Sequence, residues 1–154
     1  MMTMQREEVS KIRGELEPLV QAHYLEVAHY SDIPLDVDWD GYRLMEVDHP
    51  GFGLRCYTLR DEGILRGYAV FMLRTNLHYR GSLQAVQDVV YLDPPLRGQR
   101  IGARFLDYCD GELRKEQVQV VYHHSKITHD FGATLEHLGY ELIEKIYGRR
   151  LDKT

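Results

Sequence analysis

An apolar run from Val86 to Leu92 stops at Asp93-Pro94-Pro95, and helix periodicity begins again at Ile101. Between them lies the short segment Leu96-Arg97-Gly98-Gln99-Arg100. A strand that feeds a glycine-bearing turn and then a helix leaves free backbone N–H groups at the positive end of a helix dipole. Phosphate or pyrophosphate is the natural guest of such a turn. The segment Arg97 to Ala103 has neither the Lys-Ser/Thr end of a P-loop nor the full glycine triplet of a dinucleotide fingerprint.

The rest of the chain supplies the layers around this turn. Met2 to Arg6 reads as a short strand. Glu7 to His29 is helical in pattern, with Val9, Ile12, Leu16, Leu19, Val20, His23 and Val27 near one face. Pro18 suits the first turn of a second helix, which predicts two helices with a kink between them. Ser31 to Gly53, rich in Asp, Pro and Gly, reads as a loop with one helical turn. Leu54 to Arg60 and Ile64 to Leu73 are strands joined by the hairpin turn Asp61-Glu62-Gly63. Ser82 to Leu92 is the next strand.

Ile101, Phe105, Tyr108, Cys109 and Leu113 form the apolar stripe of the following helix. Val118 to Tyr122 is β-branched and reads as a strand. Thr128 to Leu138 is a short helix stopped by Gly139, and Tyr140 to Leu151 is a final strand. The order predicts a single α+β domain over 1–154, layered around one mixed sheet.

At 154 residues the chain can bury a real core. Its net charge of −5 argues against a nucleic-acid partner. No apolar run approaches the ~20 residues of a membrane span, and Met1 to Ser10 has no signal-peptide core, so cytoplasmic residence is expected. Cys56 and Cys109 lack CxxC spacing and read as buried thiols. His123, His124, His129 and Asp130 fit no familiar metal spacing, and no metal is expected.

The segment Asp93-Pro94 with Arg97 and Gly102 resembles the acetyl-coenzyme A loop of the GNAT (Gcn5-related) N-acetyltransferases. Leu138-Gly139-Tyr140 is similar to the family's late Leu-Gly-Phe/Tyr motif. The element order agrees over nearly the whole chain, best from Ile64 to Leu151. The segments Leu83 to Asp88 and Tyr122-His123-His124 look most like a phage-associated subgroup. One position departs: Arg100 stands where the family usually has Gly.

The resemblance implies a three-layer α/β/α fold whose mixed, mostly antiparallel sheet splays between the strands before and after the cofactor helix. It implies acetyl-CoA as cofactor, with pantetheine along Val90, Tyr91 and Leu92. The pyrophosphate would lie on Arg97, Gly98, Gln99, Arg100, Ile101, Gly102 and Ala103. If the loop needs a positive φ at residue 100, Arg adopts it less cheaply than Gly. The implied reaction is acetyl transfer to a primary amine of a small molecule or protein, and homodimers are common in such a family.

The family's usual general acid, a Tyr four residues before the late glycine, is Leu135 here, so Tyr122, Tyr140 or water would replace it. His123 matches a strand position where some relatives carry a basic carboxylate, and an imidazole suits proton removal at neutral pH. Structural hydrogen bonding explains a lone strand His equally well. Gln87 and Asp88 should point to opposite faces, Asp88 orienting His123 and Gln87 holding substrate. Asn76, His78 and Tyr79 are further substrate candidates. A catalytically silent binding module of the same fold is the alternative that Arg100 and Leu135 suggest.

Overall fold

The structure is a computed structural model and describes residues 1–153. Five strands form one sheet in the order β1-β2-β3-β4-β5. They are β1 (Met2–Arg6), β2 (Gly53–Asp61), β3 (Ile64–Asn76), β4 (Tyr79–Leu92) and β5 (Val120–Tyr122). The first three interfaces are antiparallel and β4–β5 is parallel. Helices α1 (Arg13–Val27) and α2 (Trp39–Met45) cover one face. Helix α3 (Ile101–Lys115) covers the other, and α4 (Gly132–His137) lies beside it. This is the mixed sheet that the element order predicted, with helices on both faces as the resemblance implied.

Strand alternation sorts the core into two halves. Tyr57, Leu59, Ala69, Phe71, Leu73 and Ala85 face α3, where they meet Ile101, Phe105, Cys109 and Leu113. Those four recur every fourth residue and form one stripe, so α3 turns a continuous apolar ridge inward. Leu54, Cys56, Leu65, Tyr68, Val70 and Tyr91 face the other way, against Val9, Ile12 and Leu16. Arg55 is the exception on the α3 side: its side chain is 1% exposed. Its Nε donates to both Glu116 carboxylate oxygens at 3.0 Å, and the carbonyls of His49, Phe52 and Leu54 take its remaining donors. The buried guanidinium thereby ties the start of β2 to the C-terminus of α3.

Three expectations need correction. The break in the first helical region lies before Arg13: Val9–Lys11 is a 3-10 turn, and α1 then runs through Pro18. Gly14, four residues earlier, is the carbonyl that goes without its usual N–H donor. The helical turn in the Asp-rich loop is the seven-residue α2, started by Asp38, whose carboxylate accepts from the Gly41 N–H at 2.8 Å.

The largest difference is at the C-terminus. Tyr140 to Leu151 joins no strand, and Leu142, Ile143, Ile146, Tyr147 and Leu151 are exposed. Its apolar residues come as neighbours, 142–143 and 146–147, rather than alternating, so no single sheet face would collect them. The segment is held instead at its ends. Tyr140 Oη donates to Asp110 at 2.7 Å, and Arg150 bridges to Asp32 at 2.9 Å and lies over the Tyr30 ring.

Candidate active site

The opening that positions the site is the early parting of β4 and β5. They pair only over Gln84–Val86 and Val120–Tyr122, whereas β4 continues to Leu92. The edge of β4 beyond Val86 therefore faces a gap, with backbone groups available for pairing. Beyond the gap, Pro94–Leu96 makes a 3-10 turn and the chain enters α3. From Gly98 to Ala103 no backbone N–H has an acceptor among the described residues. These donors converge on the N-terminus of a 15-residue helix.

Two residues in this turn hold a left-handed backbone, Gly98 (φ 82°) and Arg100 (φ 60°, ψ 8°). Residue 100 thus needs the geometry that made Gly the expected residue, and Arg adopts it at a cost of about 1 kcal/mol. The donors are main-chain groups, so the substitution leaves them in place. Arg97 folds back onto the end of β4 and towards α1. Its Nε donates to the Leu92 carbonyl at 2.8 Å, its guanidinium pairs with Glu26 at 2.8 Å, and it lies 5.7 Å from the Tyr91 ring centre.

A β-bulge separates the two chemical faces of β4. Phe71 pairs with Gln87 and Val70 with Val89, so Asp88 is the extra residue. Gln87 points to the α3 side and Asp88 to the α2 side, as alternation required, but their tasks are exchanged relative to expectation. Gln87 orients His123, with Oε1 2.7 Å from His123 Nδ1. Asp88 instead accepts from the hydroxyl of Tyr42 on α2.

The tautomer of His123 follows from its neighbours. The His124 backbone N–H also donates to Gln87 Oε1, at 3.2 Å, which fixes that atom as the oxygen. Nδ1 must then carry the proton, leaving Nε2 as a bare lone pair. That atom is buried and has no partner. The rings of Phe71, Phe131 and Tyr140 surround the imidazole at 5.5, 6.1 and 5.1 Å between centres. Burial, aided by the His124 charge, pushes the His123 pKa down to about 4. A neutral, weakly basic imidazole is a poor general base at neutral pH. His123 lies on the α3 side, its Nδ1–H held by Gln87 and its Nε2 enclosed by these rings, surroundings that do not favour the expected proton removal.

On the opposite face Asp88 opens into a cleft of about 510 Å³. Its walls come from Asp38, Tyr42 and Met45 on the α2 side and from Met72, Arg74 and Val86 on the sheet. Tyr68, on the same sheet face, has a buried hydroxyl without a partner. Burial raises the pKa values of Tyr42 and Tyr68, so both stay protonated. His23 of α1 stacks near Tyr91, 5.2 Å between ring centres, and burial lowers its pKa. Tyr42, Tyr68 and His23 were not singled out in the sequence as site residues. For Tyr42 the signal was present: Asp38 as a helix cap, followed by Tyr42 and Met45 three apart on one face.

No family profile and no curated protein sequence matches the chain. Solved structures do. A ribosomal-protein-alanine N-acetyltransferase from Brucella melitensis biovar Abortus 2308 superposes with a TM-score of 0.72, over 98% of this chain and 99% of its own, at 14% identity. A predicted acetyltransferase from Clostridium acetobutylicum, solved with acetyl-CoA, gives 0.71 over 98% and 97%, at 11% identity. A transcriptional regulator from Bacillus halodurans C-125 gives 0.76 over 98% and 100%, at 16% identity.

The fold is that of the GNAT N-acetyltransferases.

Within the GNAT fold the remaining candidates fall as follows. Val90 and Leu92 face α3 and Tyr91 faces α1, all three along the open β4 edge. Leu135, at the position of the usual acid, is buried in α4. Tyr140 is committed to Asp110, and burial together with that bond raises its pKa. Val121 packs on the α3 side, so Tyr122 takes the other face, beside Val86 and on the side of Asp88. Asn76, His78 and Tyr79 belong to the β3–β4 turn, where Asn76 Oδ1 accepts from the His78 N–H at 2.8 Å. Tyr79 opposes Asn76, five residues along β3 from the Phe71 that opposes Gln87, about 17 Å at strand spacing, so the three lie beyond Arg74 at the far end of the cleft rather than beside Asp88. Among the described residues no three His, Cys, Asp or Glu side chains are grouped to hold a metal. No helix is long and apolar enough to cross a membrane.

Proposed function

We propose that the protein is an acetyl-CoA-dependent N-acetyltransferase that passes the acetyl group directly to a primary amine. The observation that carries this reading is the open β4 edge ending in the run of unpartnered N–H groups from Gly98 to Ala103. Val90, Tyr91 and Leu92 would pair with the pantetheine arm, and the loop amides, with Arg97 and Arg100 beside them, would hold the pyrophosphate. The backbone donors are all present, so the residues fit the group. Bound there, acetyl-CoA supplies an acyl group activated as a thioester.

The chain's own part lies on the acceptor face. Asp88 would receive the acceptor's ammonium and take up a proton from it, leaving a nitrogen lone pair free for acyl transfer. Tyr42 holds the carboxylate in place through its hydroxyl. Tyr122, on the same face, would be the proton donor to the thiol that leaves.

Calorimetric titration with acetyl-CoA tests the reading; saturable binding is expected, and none at millimolar concentration would refute it. Asp88→Asn should lower turnover by about 100-fold or more while leaving acetyl-CoA affinity unchanged. A binding module of the same fold is the second reading, favoured by Leu135 in place of an acid; thiol release with any amine rejects it. We also assign the protein to the cytoplasm, which suits the free, buried thiols of Cys56 and Cys109. A homodimer is proposed on the exposed apolar residues of the 140–151 segment.

A further inference from the structure

We propose that the acceptor is a zwitterion: a terminal primary amine joined through an aliphatic spacer to an anionic group, carboxylate or phosphate. This rests on the acetyltransferase reading of the same cleft and names its substrate class.

The charged side chains of the cleft are Asp38, Arg74 and Asp88. Asp38 is engaged at the start of α2, and Asp88 accepts from Tyr42. Arg74 is exposed and has no carboxylate or carbonyl partner among the described residues, although it shares the cleft with two carboxylates. A guanidinium left free in a cleft presents a forked anion site to whatever enters.

Register puts the two charges at opposite ends. Arg74 opposes Gln84 on β4, and Asp88 lies four residues further along (88 − 84), about 13 Å at strand spacing. Met72 and Val86, paired with each other, form the floor between them, and Met45 and Leu54 complete the apolar wall. The order also matches the chemistry. The Asp88 end leads towards the open edge at Val90–Leu92, where the thioester would arrive, and the Arg74 end leads away from it. An amine held at Asp88 is thus placed for transfer while the anion anchors the far end, with methylene groups between.

The probes are ω-aminooctanoate, octylamine and octane-1,8-diamine, which share chain length and differ only at the far end. With acetyl-CoA present, kcat/KM for the aminocarboxylate should exceed that for octylamine by about 10-fold or more, the usual effect of one charged hydrogen-bonded pair. Arg74→Glu should invert the order in favour of the diamine. The same compounds are titrated into the full chain without acetyl-CoA, where the aminocarboxylate should bind more tightly and lose that advantage in Arg74→Glu. Acetyl-CoA binding with equal use of all three amines, or an unchanged ranking in Arg74→Glu, overturns the zwitterion while the transferase reading stands. Failure to bind acetyl-CoA defeats the transferase reading, and the titrations without it then decide the cleft separately.

Discussion

Acid should unfold this protein partly through one histidine. In the folded state His123 has a pKa of about 4, against an ordinary value of 6.5. The folded chain therefore resists a proton that the unfolded chain accepts. Its contribution to stability is complete above about pH 6.5 and is lost progressively as the pH falls towards 4. Between pH 7 and pH 4.5 the loss from this single group is about 2 kcal/mol, taking 1.36 kcal/mol per unit of proton uptake. Against a total of roughly 5–15 kcal/mol for a domain, that is a large fraction. His123→Asn is the informative variant, because its amide nitrogen can still donate to Gln87 but does not titrate. Urea unfolding of both proteins at the two pH values gives the difference in slope, independent of any packing loss common to both pH values. His23, whose pKa is also lowered by burial, will leave a residual slope in the variant. If His123→Asn loses stability with acid as steeply as the parent, His123 is not a buried neutral imidazole and the tautomer assignment fails with it.

Four further outcomes are expected. Arg100→Gly relieves the left-handed backbone and should raise stability by about 1 kcal/mol in urea denaturation; acetyl-CoA affinity should change little if main-chain groups hold the pyrophosphate. Glu116→Ala strands the buried guanidinium of Arg55 and should cost about 3 kcal/mol or more, read as a fall in Tm. Phe105→Ala opens a hole under α3 and should cost about 3–5 kcal/mol by the same measurement. Tyr42→Phe removes the hydroxyl that holds Asp88 and should lower kcat more than it alters acetyl-CoA affinity.

The fold was legible where pattern and period agree. The stripe Ile101, Phe105, Cys109 and Leu113, the hairpin at Asp61-Glu62-Gly63 and the glycine-bearing turn before α3 all stand out because local chemistry and tertiary role point the same way. The C-terminal segment misled because hydrophobic content was read as a strand when its spacing was not that of a strand. For the site, alternation correctly separated Gln87 from Asp88. It could not say which face belonged to which task, because that depends on where α2 and α4 come to rest. Tyr42 and Arg74 are far from Asp88 in sequence and meet its cleft only through sheet register and helix packing, information that no local window contains.

The bulge in β4 bears on how such a protein can change over generations. Asp88 is the residue left out of the β3 ladder, so its side chain is not tied to the alternation that fills the core. Leu83 and Ala85 before it, and Val90 and Leu92 after it, all face α3, which means the parity of the strand switches at this one point. Position 88 can therefore accept other side chains without disturbing the strand ladder, losing only the Tyr42 hydrogen bond, and the group proposed to be reactive is the part of the strand that selection is most free to rewrite. On the proposed function, a descendant with a new acceptor would need to alter the chemistry at 88 and the charge at 74, and could inherit every packed layer unchanged.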